Sequence, residues 1–187
     1  MNTTKLPNNY EFFKQFDLKK NKGMNLTIQL LGIAIIAGLI VLARHYNLPL
    51  HSNWHVAIVI VVTVLLSILY IFAHELVHGI FIKLLSGVKP DYFIRFPFFC
   101  TGSDKAYFNK KSFAIVALSP VIIWGVILLG LLFIVNDNIF ISIYIVFIIN
   151  MAGASGDYLQ IYELMKLPKD ALIHDNGKVT SIFTKKM

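Results

Sequence analysis

The segment His74-Glu75-Leu76-Val77-His78 has the residue types and spacing of a metal site with a neighbouring general base. Residues four apart on an α-helix lie on one face, so a helix here would direct both imidazoles toward one ion. Glu75 could then reach a water molecule at that ion. A zinc ion held this way lowers the pKa of water and polarises a carbonyl group, which is the chemistry of peptide-bond hydrolysis. The spacing predicts His74 and His78 as zinc ligands and Glu75 as the base.

A catalytic zinc needs a third protein ligand, and the usual neighbouring positions do not supply one. Leu84 stands where a third histidine follows in one common arrangement, and the next glutamate along the chain is Glu163. The third ligand must therefore come from another element.

Helix length favours Asp157 as that ligand. His74 lies 18 residues after Val56, and Asp157 lies 18 residues after Ile139, where two apolar stretches begin. Both side chains would therefore reach the same depth, about 27 Å along their helices. Asp157 could instead be an ordinary interfacial acid or a helix cap, and His174 and Asp104 are the alternative ligands.

The elements that must position these residues are apolar helices. Hydrophobic residues make up 57% of the 187 residues, and the mean hydropathy is +0.69, which is typical of a membrane protein. Four uncharged apolar stretches, 25–43, 56–73, 113–135 and 139–154, are long enough to cross a hydrocarbon layer of about 30 Å. We predict an all-α integral membrane protein with spans over about 25–43, 56–85, 113–135 and 139–162.

Basic residues are concentrated in three segments, 1–24, 86–112 and 166–187, each with five Lys or Arg. The positive-inside rule places these segments in the cytoplasm, with both termini, of a multi-pass protein of the cell membrane. We expect an N-terminal arm (1–24), a membrane domain (25–165) and a tail (166–187). The lipid bilayer is thus a predicted partner. Nucleic acid is not, because the Lys and Arg residues do not lie on one polar segment.

The loops contain signals for β-structure. Residues 88–100 are rich in aromatic and β-branched types and are broken by Pro90 and Pro97, which favours short strands. An edge there could hold an extended substrate by β-augmentation. The tail predicts a hairpin around Asp175-Asn176-Gly177. The aromatic and lysine-rich arm is predicted either to lie along lipid headgroups or to be disordered.

Two further residues are candidates for substrate binding near the metal. Pro120 should kink the third span and could widen a cavity, or it is simply a tolerated membrane proline. Asn150, two turns before Asp157, could donate to a substrate backbone or bond a neighbouring helix.

The residues resemble those of the zincin-peptidase family of small bacterial membrane proteins, which is similar to the site-2-type intramembrane metalloproteases. The resemblance rests on 74–79, on Ala117-Leu118-Ser119-Pro120, on 150–157 and on 167–172. It implies that His74, His78 and Asp157 bind Zn²⁺ and that Glu75 is the catalytic base.

The resulting prediction is a zinc metalloendopeptidase that cleaves a membrane-associated peptide or protein. The alternative is a metal-binding membrane protein without hydrolysis, such as a sensor or a pseudo-protease. A transporter or a purely structural protein is a third class, but a transport path would need further charges within the spans. Elsewhere in the four stretches none occurs.

Overall fold

The computed structural model describes residues 2–17, 21–95 and 98–186. Five helices form from the apolar stretches: α1 (Lys22–His45), α2 (Val56–Ser86), α3 (Lys110–Leu132), α4 (Asp137–Gly153) and α5 (Ser155–Met165). Strands form in the segments between and beside them: β1 (Tyr10–Phe16), β2 (Asp91–Arg95), β3 (Phe98–Gly102), β4 (Phe108–Asn109), β5 (Leu172–Asp175) and β6 (Thr180–Lys185).

Four helical segments are long and apolar enough to cross a membrane: α1, α2, α3 and the stretch Asp137–Met165. This agrees with the four predicted spans. Side chains such as Val41, Leu65 and Val126 are exposed on these helices, as expected of a surface that faces lipid.

The structure adds two details to the predicted elements. Within the fourth span, α4 ends at Gly153 and α5 begins at Ser155, with Ala154 as the cap between them. The small β-element contains, among the described residues, a four-stranded sheet in addition to a two-stranded one. The long-range pairing of chain ends leaves no local signal, so apolar patterning could not reveal it.

The chain divides into two compact units. The helix unit comprises Thr27–His74 and Val121–Gly156, and the sheet unit comprises Met1–Leu26, Glu75–Pro120 and Asp157–Met187. The boundary in α2 falls between His74 and Glu75, within an unbroken helix.

The helix unit is held by apolar packing and a few polar contacts between helices. The Thr63 hydroxyl lies 2.9 Å from that of Ser142, and the Tyr144 hydroxyl donates to the Leu39 carbonyl at 2.6 Å. Such bonds between helices satisfy polar groups that would otherwise be unpaired in hydrocarbon.

The sheet unit contains the four-stranded antiparallel sheet in the order β1-β6-β5-β4, and β2 pairs with β3 as a separate hairpin. The β2–β3 and β5–β6 hairpins confirm the strands predicted from the loop and the tail. The arm is not disordered where it is described, because β1 pairs with β6. Its location along lipid headgroups stays a prediction. The core of this unit consists of Ile82, Ala106, Phe108, Phe113, Val116, Leu164, Leu167, Ala171, Ile173 and Ile182.

Candidate metal centre

Helix α2 carries the first three site residues. It is unbroken from Val56 to Ser86, so His74 and His78 are one turn apart on the same face, with Glu75 beside them. The helix is unbroken because no proline occurs in it, and an apolar segment of this length in hydrocarbon must satisfy its own backbone hydrogen bonds as a helix.

His74, His78 and Asp157 form a group that could hold a metal ion. Each offers one ligand atom, and these atoms all lie within 4.8 Å of one another. Tetrahedral zinc with bonds of about 2.0–2.1 Å separates its ligand atoms by about 3.4 Å, so small side-chain adjustments suffice. Two imidazoles and a carboxylate are also a known donor set for catalytic zinc, which leaves a fourth position open. The residues present therefore fit zinc.

His78 is oriented by a backbone carbonyl of α3. Its Nδ1 lies 2.9 Å from the Val116 carbonyl oxygen. Because a carbonyl can only accept, Nδ1 must carry the proton, which leaves the lone pair on Nε2 for a metal. A metal-binding histidine usually donates its other nitrogen in this way.

Pro120 explains why that carbonyl is available. In an α-helix the carbonyl of residue 116 would accept from the N–H of residue 120, but proline has none. The freed Val116 carbonyl accepts instead from His78 and from the Ser119 hydroxyl, the latter at 3.1 Å. Pro120 is fully buried within α3, so its observed effect is on a histidine, and its predicted contact with substrate remains a prediction.

Asn150 is fully buried in the helix unit with both ends of its amide bonded to protein. Its Oδ1 accepts from the Tyr70 hydroxyl at 2.9 Å, and its Nδ2 donates to the Val121 carbonyl at 3.1 Å. The predicted bond from Asn150 to a neighbouring helix is therefore present, whereas a bond to substrate remains a prediction.

Glu75 is linked to the hairpin of β2 and β3. The Thr101 hydroxyl donates to the Glu75 carbonyl at 3.1 Å. The charges of His78 and Asp157 both act on the Glu75 carboxyl group, so Glu75 interacts electrostatically with two of the proposed ligands. The predicted base is thus next to the proposed ligands, and its backbone is bonded to a strand that is distant in sequence.

Tyr92 of β2 packs against the helix at Gly79, the residue after the second histidine. A Cβ atom at position 79 would lie 1.9 Å from the Tyr92 hydroxyl oxygen, so a side chain there would displace the ring. Burial raises the pKa of the Tyr92 hydroxyl, and the negative charge of Glu75 raises it further. The hydroxyl therefore stays protonated near neutral pH and remains a potential donor beside the site.

Asp175 approaches the site from the tight turn between β5 and β6. Its carboxylate accepts from the Gly177 N–H at 2.7 Å and from the Thr180 hydroxyl at 3.2 Å. Burial raises the pKa of this carboxyl, while the two hydrogen bonds and the charge of His78 lower it. The backbone carbonyl of Asp175 also accepts from the Ser103 N–H at 2.9 Å, which fixes the turn beside the end of β3.

The two alternative ligands do not join the group. Among the residues that the structure describes, the metal-binding group contains neither His174 nor Asp104. The Nδ1 of His174 lies 3.0 Å from the Ala106 carbonyl, and its ring stacks on Tyr107. The geometry therefore favours Asp157.

Sequence reasoning missed five residues that lie beside the site: Tyr70, Tyr92, Thr101, Val116 and Asp175. One signal was present for Tyr70, because a tyrosine one turn before a proposed ligand in an apolar helix needs a hydrogen-bond partner. The role of the Val116 carbonyl could have been predicted from Pro120, because proline lacks the N–H that would otherwise bond this carbonyl. Thr101 and Asp175 depend on tertiary contacts between loops, which spacing does not encode.

Four helices apolar enough to span a membrane are consistent with a membrane protein, and His74, His78 and Asp157 form a possible metal site. The family described as "Putative zincin peptidase" (DUF3267) matches residues 67–172, more than half of the chain. The chain therefore belongs to this zincin-like family. No curated protein and no solved structure matches it.

Proposed function

We propose that the protein is an intramembrane zinc metallopeptidase of the site-2 type. The observation that supports this most is the approach of His74, His78 and Asp157 to within 4.8 Å, with Glu75 following the first histidine. Membership of the zincin-like family supports metallopeptidase activity and, with it, zinc as the metal.

The three ligands would hold zinc, and Glu75 would act as general base. Bound zinc would polarise the scissile carbonyl and lower the pKa of a water molecule. Glu75 would take a proton from the attacking water and return it to the leaving amine, as a base that becomes an acid in the second step. The Thr101 hydroxyl, bonded to the Glu75 carbonyl, would keep this turn of α2 in place.

The substrate we propose is a membrane-associated peptide or protein that is cleaved near the cytoplasmic face of the cell membrane. The lysine-rich segments support a cytoplasmic location for both termini. The pairing of β1, before α1, with β6, after α5, supports a common side for the two termini, and an even number of crossings satisfies this.

The β2–β3 hairpin is the proposed element for substrate capture. Tyr92 and Ile94 are two residues apart in β2 and therefore share one face. Tyr92 packs at Gly79, directly after His78, and Ile94 is 75% exposed. An extended substrate could add to this small two-stranded sheet as a further strand, within reach of the metal ligands.

The decisive experiment replaces the base and keeps the ligands. We expect Glu75→Gln to bind zinc as the wild type does, while cleavage of a fluorogenic peptide library in nanodiscs falls by about 10²–10⁴-fold, the usual contribution of a general base. Glu163→Gln is the matched control, because Glu163 bonds Lys14 and Lys166.

Three results would count against the proposal. A Glu75→Gln protein with wild-type rate would exclude Glu75 as the base. A wild type that binds zinc but cleaves no peptide would favour the metal-binding alternative without hydrolysis. A wild type that binds no zinc would contradict both.

A further inference from the structure

Tyr70 lies one helical turn before His74 and is buried in the apolar interior of the helix unit. It is 6% exposed and belongs to a core cluster with Leu128, Ile143 and Val146. A tyrosine hydroxyl in such surroundings must form hydrogen bonds, because an unpaired polar group is costly there. The hydroxyl of Tyr70 makes two.

The first bond fixes the direction of the second. The hydroxyl lies 2.9 Å from Asn150 Oδ1 and 2.8 Å from His74 Nδ1. An amide oxygen can only accept, so the single hydroxyl proton of Tyr70 goes to Asn150. The Asn150 amide cannot be reversed without losing its Nδ2 bond to the Val121 carbonyl.

The hydroxyl oxygen of Tyr70 must therefore accept from His74. For this, Nδ1 of His74 carries the ring proton, and the lone pair lies on Nε2. This is the tautomer that a metal needs when it binds through Nε2.

We propose that Tyr70 is a positioning residue that sets the tautomer and the ring orientation of His74. Two hydrogen bonds, from His74 to Tyr70 and from Tyr70 to Asn150, form a relay, and Asn150 determines its direction. The inference rests on the zinc site of the proposed function but not on peptide cleavage. It gives Asn150 a different role from the predicted contact with substrate.

The first test is Tyr70→Phe, which removes the hydroxyl and keeps the ring. We expect about 10–100-fold weaker zinc binding, the usual effect of removing a partner of a metal-binding histidine. Zinc affinity is measured by competition with a chelator in detergent. Tyr144→Phe is the matched control, because the Tyr144 hydroxyl is bonded to the Leu39 carbonyl in the same unit and should leave zinc affinity unchanged.

The second test distinguishes a relay from a general loss of packing. In Asn150→Ala the Tyr70 hydroxyl is free to donate to His74 Nδ1, which favours the tautomer with the proton on Nε2. Zinc binding should then weaken by about 10-fold or more although the tyrosine is present. The double variant Tyr70→Phe/Asn150→Ala should bind zinc no more weakly than Asn150→Ala, since the competing donor is gone.

A spectroscopic readout does not require metal or activity. In protein labelled with ¹⁵N-histidine and free of metal, the His74 signals, assigned by their loss in His74→Ala, should report Nδ1–H in the wild type and a shift toward Nε2–H in Asn150→Ala. Wild-type zinc affinity in folded Tyr70→Phe, or additive losses in the double variant, would overturn the proposal. A wild type without zinc would instead count against the proposed function.

Discussion

The two proposed histidine ligands are oriented by different kinds of group. His74 belongs to the helix unit, and its Nδ1 is bonded to a side chain, the Tyr70 hydroxyl. His78 belongs to the sheet unit and bonds a main-chain carbonyl, that of Val116. In apolar helices almost every carbonyl accepts from the N–H four residues on, and Pro120 removes that donor from the Val116 carbonyl. The acceptor of His78 therefore depends on the backbone of α3, whereas that of His74 depends on a side chain.

This difference has a practical meaning for mutation. The relay to His74 can be removed by a single change of side chain. The carbonyl that holds His78 cannot be deleted, but it can be occupied again if residue 120 regains its N–H. Zinc binding by His74 should therefore be sensitive to substitution of polar side chains. Zinc binding by His78 should be sensitive to changes in the backbone hydrogen bonds of α3.

The largest expected effect tests whether both histidines share one ion with Asp157. Asp157→Ala removes one of three proposed ligands, and we expect stoichiometric zinc to be lost on purification, as judged by metal analysis. Asp104→Ala is the control and should retain zinc. Full zinc in the Asp157 variant would mean that another residue, such as His174, completes the site.

An intermediate effect is expected from Pro120→Ala, which restores the competing N–H. Zinc affinity should fall by about 3–10-fold, because His78 shares its acceptor with the helix. The helix itself should become more stable, since an interior proline costs about 3 kcal/mol. A higher melting temperature with weaker zinc binding would separate the two effects.

Ser119→Ala is the control for that variant. It removes the other donor to the Val116 carbonyl and should leave zinc affinity unchanged or slightly improved. Undiminished zinc affinity in Pro120→Ala would show that the backbone contact does not position His78.

The smallest effect concerns the part of the sheet unit that contacts no proposed ligand. Ile94→Ser removes exposed apolar surface from β2 and should raise KM by a few fold while kcat and zinc content stay the same, as expected for a loss of uniform binding. Phe13→Ser, on the exposed part of β1, is the control. An unchanged KM in Ile94→Ser would argue against capture by this face.

The helices were predictable because a segment that crosses a bilayer needs about 20 consecutive apolar residues, a pattern that is uncommon in other proteins. The β2–β3 and β5–β6 hairpins were predictable because their turns are local. The break at Ala154 was not, although Gly153 and Gly156 flank it, since small residues also occur within continuous membrane helices. The site residues of α2 followed from spacing along one helix, whereas Asp157 required an argument from depth.

The relay through Tyr70 shows why spacing alone is insufficient. The tyrosine stands four residues before His74, which the sequence reveals, but the direction of its proton depends on Asn150, 80 residues away. The brace from Thr101 depends likewise on how a hairpin folds back on α2. Such contacts are set by tertiary packing, which no local pattern records.

The pairing of β1 with β6 also determines the order in which the molecule can be completed. Thr180, at the start of β6, is synthesised 164 residues after its partner Phe16. At 5–20 residues per second, β1 therefore waits roughly 10–30 s on the ribosome-bound chain without its neighbour. During this interval Phe12 and Phe13 belong to an unpaired strand, the kind of segment that aggregates and that chaperones protect. The sheet can thus close only after all four hydrophobic segments have left the ribosome.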